Sequence, residues 1–271
     1  MKPILEEKHE RLKEIFRSIE RVLVAYSGGV DSTLLLKVAR DTLGEGNVVA
    51  VTALSPLYPE RELDMAKHMV QSMGVRHVLI ESNEMEIEGF SKNPPNRCYY
   101  CKRELFEKLL ELAKNEGSHA VVEGSTLDDE KDHRPGRIAI QELGIRSPLQ
   151  EARFTKDDVR ELSRELGLPT WDKPSFACLA SRFPYGREIT SEGLKMVDEA
   201  EDFLFGLGFR QVRVRHYQDL ARIEILTEEM GRLMDERVRE AVVKRLKEIG
   251  YRYITLDLQG FRSGSMNEVL G

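Results

Sequence analysis

A doubly wound parallel α/β sheet followed by a smaller C-terminal α+β domain is the fold class this sequence predicts. Three observations lead there. Short apolar strands alternate with helices of about 10–15 residues as far as residue 168. A glycine turn, Ser27-Gly28-Gly29, separates the first strand from its helix. Beyond it the texture breaks, with Pro169, Pro174 and Pro184 in an irregular, aromatic-rich run over residues 169–190.

The elements follow in order. Leu12, Ile15, Phe16 and Ile19 recur at helical spacing. Residues 21–26 (RVLVAY) read as a buried strand, and 31–42 as a helix with Leu34, Leu35, Val38 and Ala39 as its apolar stripe. A strand over 48–52, a helix over 59–73 and a strand over 76–80 come next. Asn93-Pro94-Pro95-Asn96 leads into a helix over 98–113, and 120–123 is a fourth strand. Thr155, Asp157 and Asp158 supply a cap and an acidic first turn to another helix, closed by Gly167 and Pro169. The tail reads α-β-β-α-β: helix 191–207, strands 209–216 and 222–226, helix 227–249 and strand 251–258. The expected domains are 1–175 and 190–271, joined by an irregular segment 176–189 that carries Cys178.

Composition bounds the function. At about 100–200 residues per domain, 271 residues favour two domains. Lys plus Arg total 41 against 47 Asp plus Glu, a net charge of −6. That balance argues against a surface tracking nucleic acid, though not against a local basic pocket. No run approaches the roughly 18 apolar residues of a spanning helix. The charged first ten residues lack the apolar core of a signal peptide, so a cytoplasmic protein without membrane attachment is expected. Three cysteines, Cys98, Cys101 and Cys178, make no disulfide framework.

The strongest motif is Ser27-Gly28-Gly29-Val30-Asp31-Ser32 between the first strand and its helix. Two glycines let backbone N–H groups face an anion at a helix N-terminus. Ser27 and Ser32 can donate to phosphate oxygens, and Asp31 would repel phosphate unless Mg2+ lies between them. It is neither a Walker A loop nor a dinucleotide fingerprint. Without a lysine of its own, it suits gripping a leaving pyrophosphate. Two loops at neighbouring strand ends, Thr52-Ala53-Leu54-Ser55 and the run from Glu123-Gly124 to Asp129, would lie beside it.

Cys98 and Cys101 fall three apart near a helix start, where the dipole and Arg97, Lys102 and Arg103 favour thiolates. Four readings fit the spacing: buried inert thiols, a redox pair, a zinc site completed by His119, His133 or His216, and an iron–sulfur site of three thiolates. Val212-Arg213-Val214-Arg215-His216 puts Arg213 and Arg215 on one strand face, where an anion between them would relieve their repulsion. A solvated face with acidic neighbours is the plainer alternative, and Arg182 is a further candidate for the same pocket. Glu199, Glu201 and Asp202 could serve a metal or simply form a wet helix face.

Taken with the phosphate loop, Asn93-Pro94-Pro95-Asn96-Arg97-Cys98-Tyr99-Tyr100-Cys101-Lys102, the run from Ala177-Cys178 to Tyr185-Gly186, and the run from Gly260-Phe261-Arg262 to Glu268 resemble the LarE family of PP-loop ATP pyrophosphatases. The resemblance runs from about residue 20 to the end. It implies an adenine nucleotide alpha hydrolase-like fold with ATP at Ala25, Ser27, Gly28, Gly29, Asp31, Ser32, Ala53, Ser55 and Gly124. It implies catalytic roles for Cys178, Asp31 and Ser32. The implied activity is adenylation of the carboxylates of pyridinium-3,5-biscarboxylic acid mononucleotide, pyrophosphate release, and conversion to thiocarboxylates for a nickel-pincer cofactor. Arg213, Arg215 and Arg182 would hold the substrate phosphate. Cys98, Cys101 and Cys178 would hold a [4Fe-4S] cluster that carries sulfide from a sulfur donor. In the family's other branch the cysteine matched by Cys178 gives up its own sulfur. A homo-oligomer, trimeric or hexameric, is implied too. The rival of similar chemistry is a PP-loop tRNA thiolase; a non-catalytic ATP-binding or redox-sensing module is the rival of another class.

Overall fold

Valine-rich runs build the sheet that the strand–helix alternation predicts. The computed structural model describes residues 2–130, 135–174 and 176–270. These divide into two units, residues 1–84 with 96–176 and residues 85–95 with 177–271.

In the first unit, α1 (Pro3–Ile19) starts on a proline, which suits a first turn whose N–H groups have no helical partner. β1 (Val22–Ala25), α2 (Val30–Leu43), β2 (Val48–Leu54), α3 (Glu60–Ser72) and β3 (Arg76–Glu81) follow. Then come α4 (Arg97–Glu116), β4 (Ala120–Val122), two short helices α5 (Gly136–Glu142) and α6 (Pro148–Glu151), and α7 (Lys156–Glu165). The four strands are parallel in the order β3-β2-β1-β4. Alternation of side chains splits each strand between two cores. Val22, Val24, Val48 and Ala50 pack with Phe16, Leu35, Phe154 and Leu162 on one face. Leu23, Val49 and Val51 pack with Phe106, Leu109 and Ile140 on the other. Both faces are covered, as a parallel sheet requires.

In the second unit, α8 (Ser191–Gly206) precedes β5 (Val212–Tyr217) and β6 (Leu220–Ile225), antiparallel neighbours joined through Gln218 at φ 60° and Asp219. The helix expected over 227–249 is two helices, α9 (Met230–Leu233) and α10 (Glu236–Ile249). The break has a physical cause: Asp235 caps α10, its carboxylate accepting from Arg237 N and Val238 N. β7 (Tyr253–Leu256) then pairs parallel to β6, giving the order β5-β6-β7 over a core of Leu204, Phe209, Val214, Ile223 and Leu246.

Residues 85–95 belong with this second unit. Asn93, at φ 54° and fully buried, donates through Nδ2 to the carbonyls of Phe183 and Pro184 at 3.0 and 2.8 Å. Its own carbonyl accepts from Gly186 N, and Ser91 O accepts from Ile189 N. The first residue of the Asn-Pro-Pro-Asn motif is thus a structural clamp on the segment that follows Cys178.

Candidate functional site

The chain order runs outward from β1 through β2 to β3, then returns to place β4 on the other side of β1. The reversal between β1 and β4 makes their carboxyl ends the expected ligand crevice. Ser27 to Ser32 lies there. Gly28 takes φ 72°, and a Cβ on it would meet the Ala66 methyl at 3.0 Å, so only glycine fits. The Ser27 and Ser32 hydroxyls lie 3.1 Å apart, Ser32 Oγ donates to Gly29 O, and Gly29 N donates to Ser27 Oγ. Gly29 is the N-cap of α2, so the loop ends on the helix N-terminus that an anion would face.

The two neighbouring loops behave differently. A Cβ on Gly124 would meet Ser32 N at 3.1 Å and Asp31 Cβ at 3.2 Å, so the loop after β4 lies directly against the phosphate loop. Glu123 folds it by accepting from Ser125 N and Oγ and from Ser147 Oγ. A cavity of about 380 Å³, lined in part by Ser125, Arg137, Gln141, Ser147 and Gln150, adjoins it. On the other flank Ala25 ends β1 and Ala53 is the next-to-last residue of β2, while Ser55 Oγ donates to Glu84 at 2.6 Å and so faces a carboxylate.

The loop lacks a lysine, but lysines reach it from later in the chain, which the sequence reading missed. Lys156 Nζ lies 2.6 Å from Asp31 Oδ2 and 3.3 Å from Asp129 Oδ2. Lys173 Nζ donates to Gly28 O at 3.0 Å and pairs with Glu62 at 2.8 Å. Burial pushes the Asp31 carboxyl above the ordinary carboxylate range; Lys156 opposes that push and Asp129 adds to it. Asp129 is held in turn by donation from Thr126 N and Oγ1.

Cys98 and Cys101 lie near the start of α4, outside any disulfide, Cys98 exposed and Cys101 half-buried. Cys101 Sγ lies 3.9 Å from Oε1 of Glu84, a buried carboxylate that also accepts from Ser55 and Ser82. Cys178, in the second unit, is the N-cap of a 3-10 turn over Leu179–Arg182. Of the expected zinc partners, His119 Nδ1 faces Ile19 O, His216 Nδ1 faces the Tyr251 hydroxyl, and His133 lies outside the described residues. No group of three or more His, Cys, Asp or Glu side chains converges on a metal position among the described residues.

The three candidate arginines form a buried network. Arg182, fully buried, makes a bidentate pair with Glu201 through Nε and Nη2 and donates Nη1 to the carbonyls of Ala177 and Cys178. It thereby builds the turn that presents Cys178. Arg215 makes a bidentate pair with Glu224 and donates Nη1 to Ser181 O at 2.6 Å. Arg213 lies over the Phe261 ring, and burial together with the nearby Arg182 lowers its pKa to about 10. Glu201 is no wet helix face: it is fully buried. Burial alone would raise its pKa, but Arg182, Arg213 and the Val214 N–H outweigh that and hold the carboxyl below its ordinary range. Glu199, by contrast, is half-exposed and pairs with Arg245.

Comparison with known proteins adds a further finding. A family model described as NAD synthase matches residues 6–96. An uncharacterized protein of Synechocystis is 48% identical over 98% of this chain and 99% of its own. The pyridinium-3,5-bisthiocarboxylic acid mononucleotide synthase of Lactiplantibacillus plantarum is 42% identical over 97% of this chain and 95% of its own. A tRNA-specific 2-thiouridylase of Desulforamulus reducens is 29% identical over 57% of this chain and 53% of its own.

Proposed function

We propose a reaction for this chain on the ground of its kinship: it belongs to the LarE family of pyridinium-3,5-bisthiocarboxylic acid mononucleotide synthases, and it is an ATP-using sulfurtransferase. The reaction adenylates a carboxylate of pyridinium-3,5-biscarboxylic acid mononucleotide, releases pyrophosphate, and exchanges AMP for sulfur to leave a thiocarboxylate. A carboxylate is a poor electrophile; an acyl-adenylate is a good one. Ser27, Gly28, Gly29 and Ser32 grip the leaving pyrophosphate through N–H and hydroxyl donors. Ala25, Ala53 and Ser55 flank the adenosine, and Gly124 lets the β4 loop approach the α-phosphate. Asp31 and Asp129, both in contact with the Lys156 ammonium, would hold magnesium, which takes one or two carboxylates together with phosphate oxygens and would offset the phosphate charge.

Complete clusters are normally held by four cysteines, so three thiolates would leave one iron open. Cys98, Cys101 and Cys178 would hold a [4Fe-4S] cluster, whose chemistry is to carry the incoming sulfur. The chain's own contribution is to position those thiols: α4 sets two at its N-terminus, and the Arg182 turn sets the third. Arg213 and Arg215 take the substrate's phosphate; Arg182, fully buried with its donors spent on Glu201, the Ala177 and Cys178 carbonyls and Ser181 Oγ, holds the turn that carries Cys178 instead. Together with Arg182 they outnumber Glu201 and Glu224, and burial, with the nearby Arg182 charge, lowers the Arg213 pKa to about 10; an anion beside it would offset both. The enzyme works as a cytoplasmic homo-oligomer.

The phosphate loop at the switch point, backed by near-full-length likeness to the Lactiplantibacillus synthase, is the observation that carries this reading. Anaerobic purification with iron and sulfide analysis, followed by mass spectrometry after turnover with ATP and the pyridinium substrate, tests it. Pyrophosphate release that depends on that substrate, about four irons per chain and an intact Cys178 are expected. Loss of the mass of hydrogen sulfide from Cys178 would establish sacrificial donation instead.

A further inference from the structure

We propose that Lys156 is an internal counter-cation that stands in the magnesium position of the nucleotide site, so that this chain takes up the metal together with ATP rather than alone. This rests on the assignment of the Ser27–Ser32 loop to ATP. The ammonium bridges two carboxylates from different strand ends, Asp31 after β1 at 2.6 Å and Asp129 after β4 at 3.3 Å. Its backbone is fixed: Lys156 is the first residue of α7, its N–H donates to Asp128 Oδ2 at 2.7 Å, and the Thr155–Asp158 capping box closes the turn. Only the side chain is left to move. Lysine suits that role, being a compact charge on a flexible stem.

The electrostatics give the arrangement its consequence. Asp129 is only 4% exposed, and two bare carboxylates there would repel each other. Arg160 adds a weaker positive influence on Asp31, and Lys156 is in direct contact with both carboxylates. A free divalent cation must therefore displace an ammonium that already contacts both carboxylates. A cation that arrives on a triphosphate brings the displaced ammonium a new anion. Exchange then costs little, and Lys156 turns from the carboxylates to the phosphates as the site fills.

Mn2+, followed by electron paramagnetic resonance, is the probe. The nucleotide-free full chain is titrated as wild type, Lys156→Met and Lys156→Arg. Wild type and Lys156→Arg are expected to bind Mn2+ weakly, and Lys156→Met about tenfold more tightly or better. Asp31→Asn in the Lys156→Met background is expected to abolish the gain. Adding the non-cleavable analogue α,β-methylene-ATP should tighten Mn2+ binding by wild type far more than by Lys156→Met. Equal Mn2+ affinity for wild type and Lys156→Met, or a gain that survives Asp31→Asn, overturns the proposal. Lys156→Gln provides a second uncharged variant, and circular dichroism identifies which variants are folded for comparison. Failure of wild type to bind the analogue would defeat the ATP assignment separately, since the first comparison is made without nucleotide.

Discussion

Arg182 shows how much one residue type can settle once its surroundings are known. A guanidinium offers five donors in a rigid plane, and this one spends them on Glu201, two carbonyls and Ser181 Oγ. Both partners of the Arg182–Glu201 pair are fully buried. Removing one leaves an uncompensated charge, so Glu201→Leu should cost about 3–5 kcal/mol in urea unfolding. Arg182→Met with Glu201→Leu should recover much of that stability, because both charges leave together. The double variant should still lose sulfur transfer, since the carbonyls of Ala177 and Cys178 lose their donor. A double variant as unstable as Glu201→Leu alone would show that the pair is not the source of the cost.

Among the elements, α7 has the most explicit start. Thr155 Oγ1 accepts from Asp158 N, and the Asp158 carboxylate accepts from Thr155 N and Oγ1. Burial would raise the Asp158 pKa, but the Lys8 ammonium and the Thr155 donors outweigh it and lower it. Thr155→Ala should therefore cost about 1 kcal/mol, read as a shift of the unfolding midpoint. The β4 loop is a second case. In Gly124→Ala the new methyl would meet Ser32 N and Asp31, both on the rigid start of α2. Nucleotide affinity, measured by calorimetry, should fall about tenfold, within the 1–3 kcal/mol typical of overpacking. Unchanged affinity would place the nucleotide elsewhere.

For the whole molecule, pH and salt give the broadest checks. Burial holds His9, His77 and His216 below their ordinary value of 6.5. These histidines take up protons less readily when folded than once unfolded, where they accept them near pH 6.5. Their contribution is thus complete above about pH 6.5 and shrinks as pH falls toward the lowered values. Asp31 acts in the opposite sense, because its raised pKa lets the folded state hold a proton more tightly. Three histidines should prevail, and the urea midpoint should be lower at pH 5.5 than at 7.5. At net charge −6, the chain is expected to leave bulk tRNA unshifted in a gel at moderate salt. A clear shift would revive the thiolase reading. No helix among the described residues is long and apolar enough to cross a membrane.

Local chemistry was legible before the fold. The phosphate loop, the strand–helix alternation and the cap of α7 each depend on residues within one turn or one strand, so their signals lie in adjacent letters. Even there a local signal failed once, where the periodicity of 227–249 hid the Asp235 cap that starts a new helix. What the letters could not say concerns partners far apart in the chain. Lys156 sits 125 residues from Asp31, and Lys173 sits 145 from Gly28, so a loop without lysine gave no hint of either ammonium. Asn93 clamps carbonyls 90 residues away, and Glu201 reads as a wet face until Arg182 is seen against it. Sequence fixes which groups can carry charge and where the backbone turns. Only tertiary packing decides which charges meet, because burial and pairing are set by neighbours that contact in space and not along the chain.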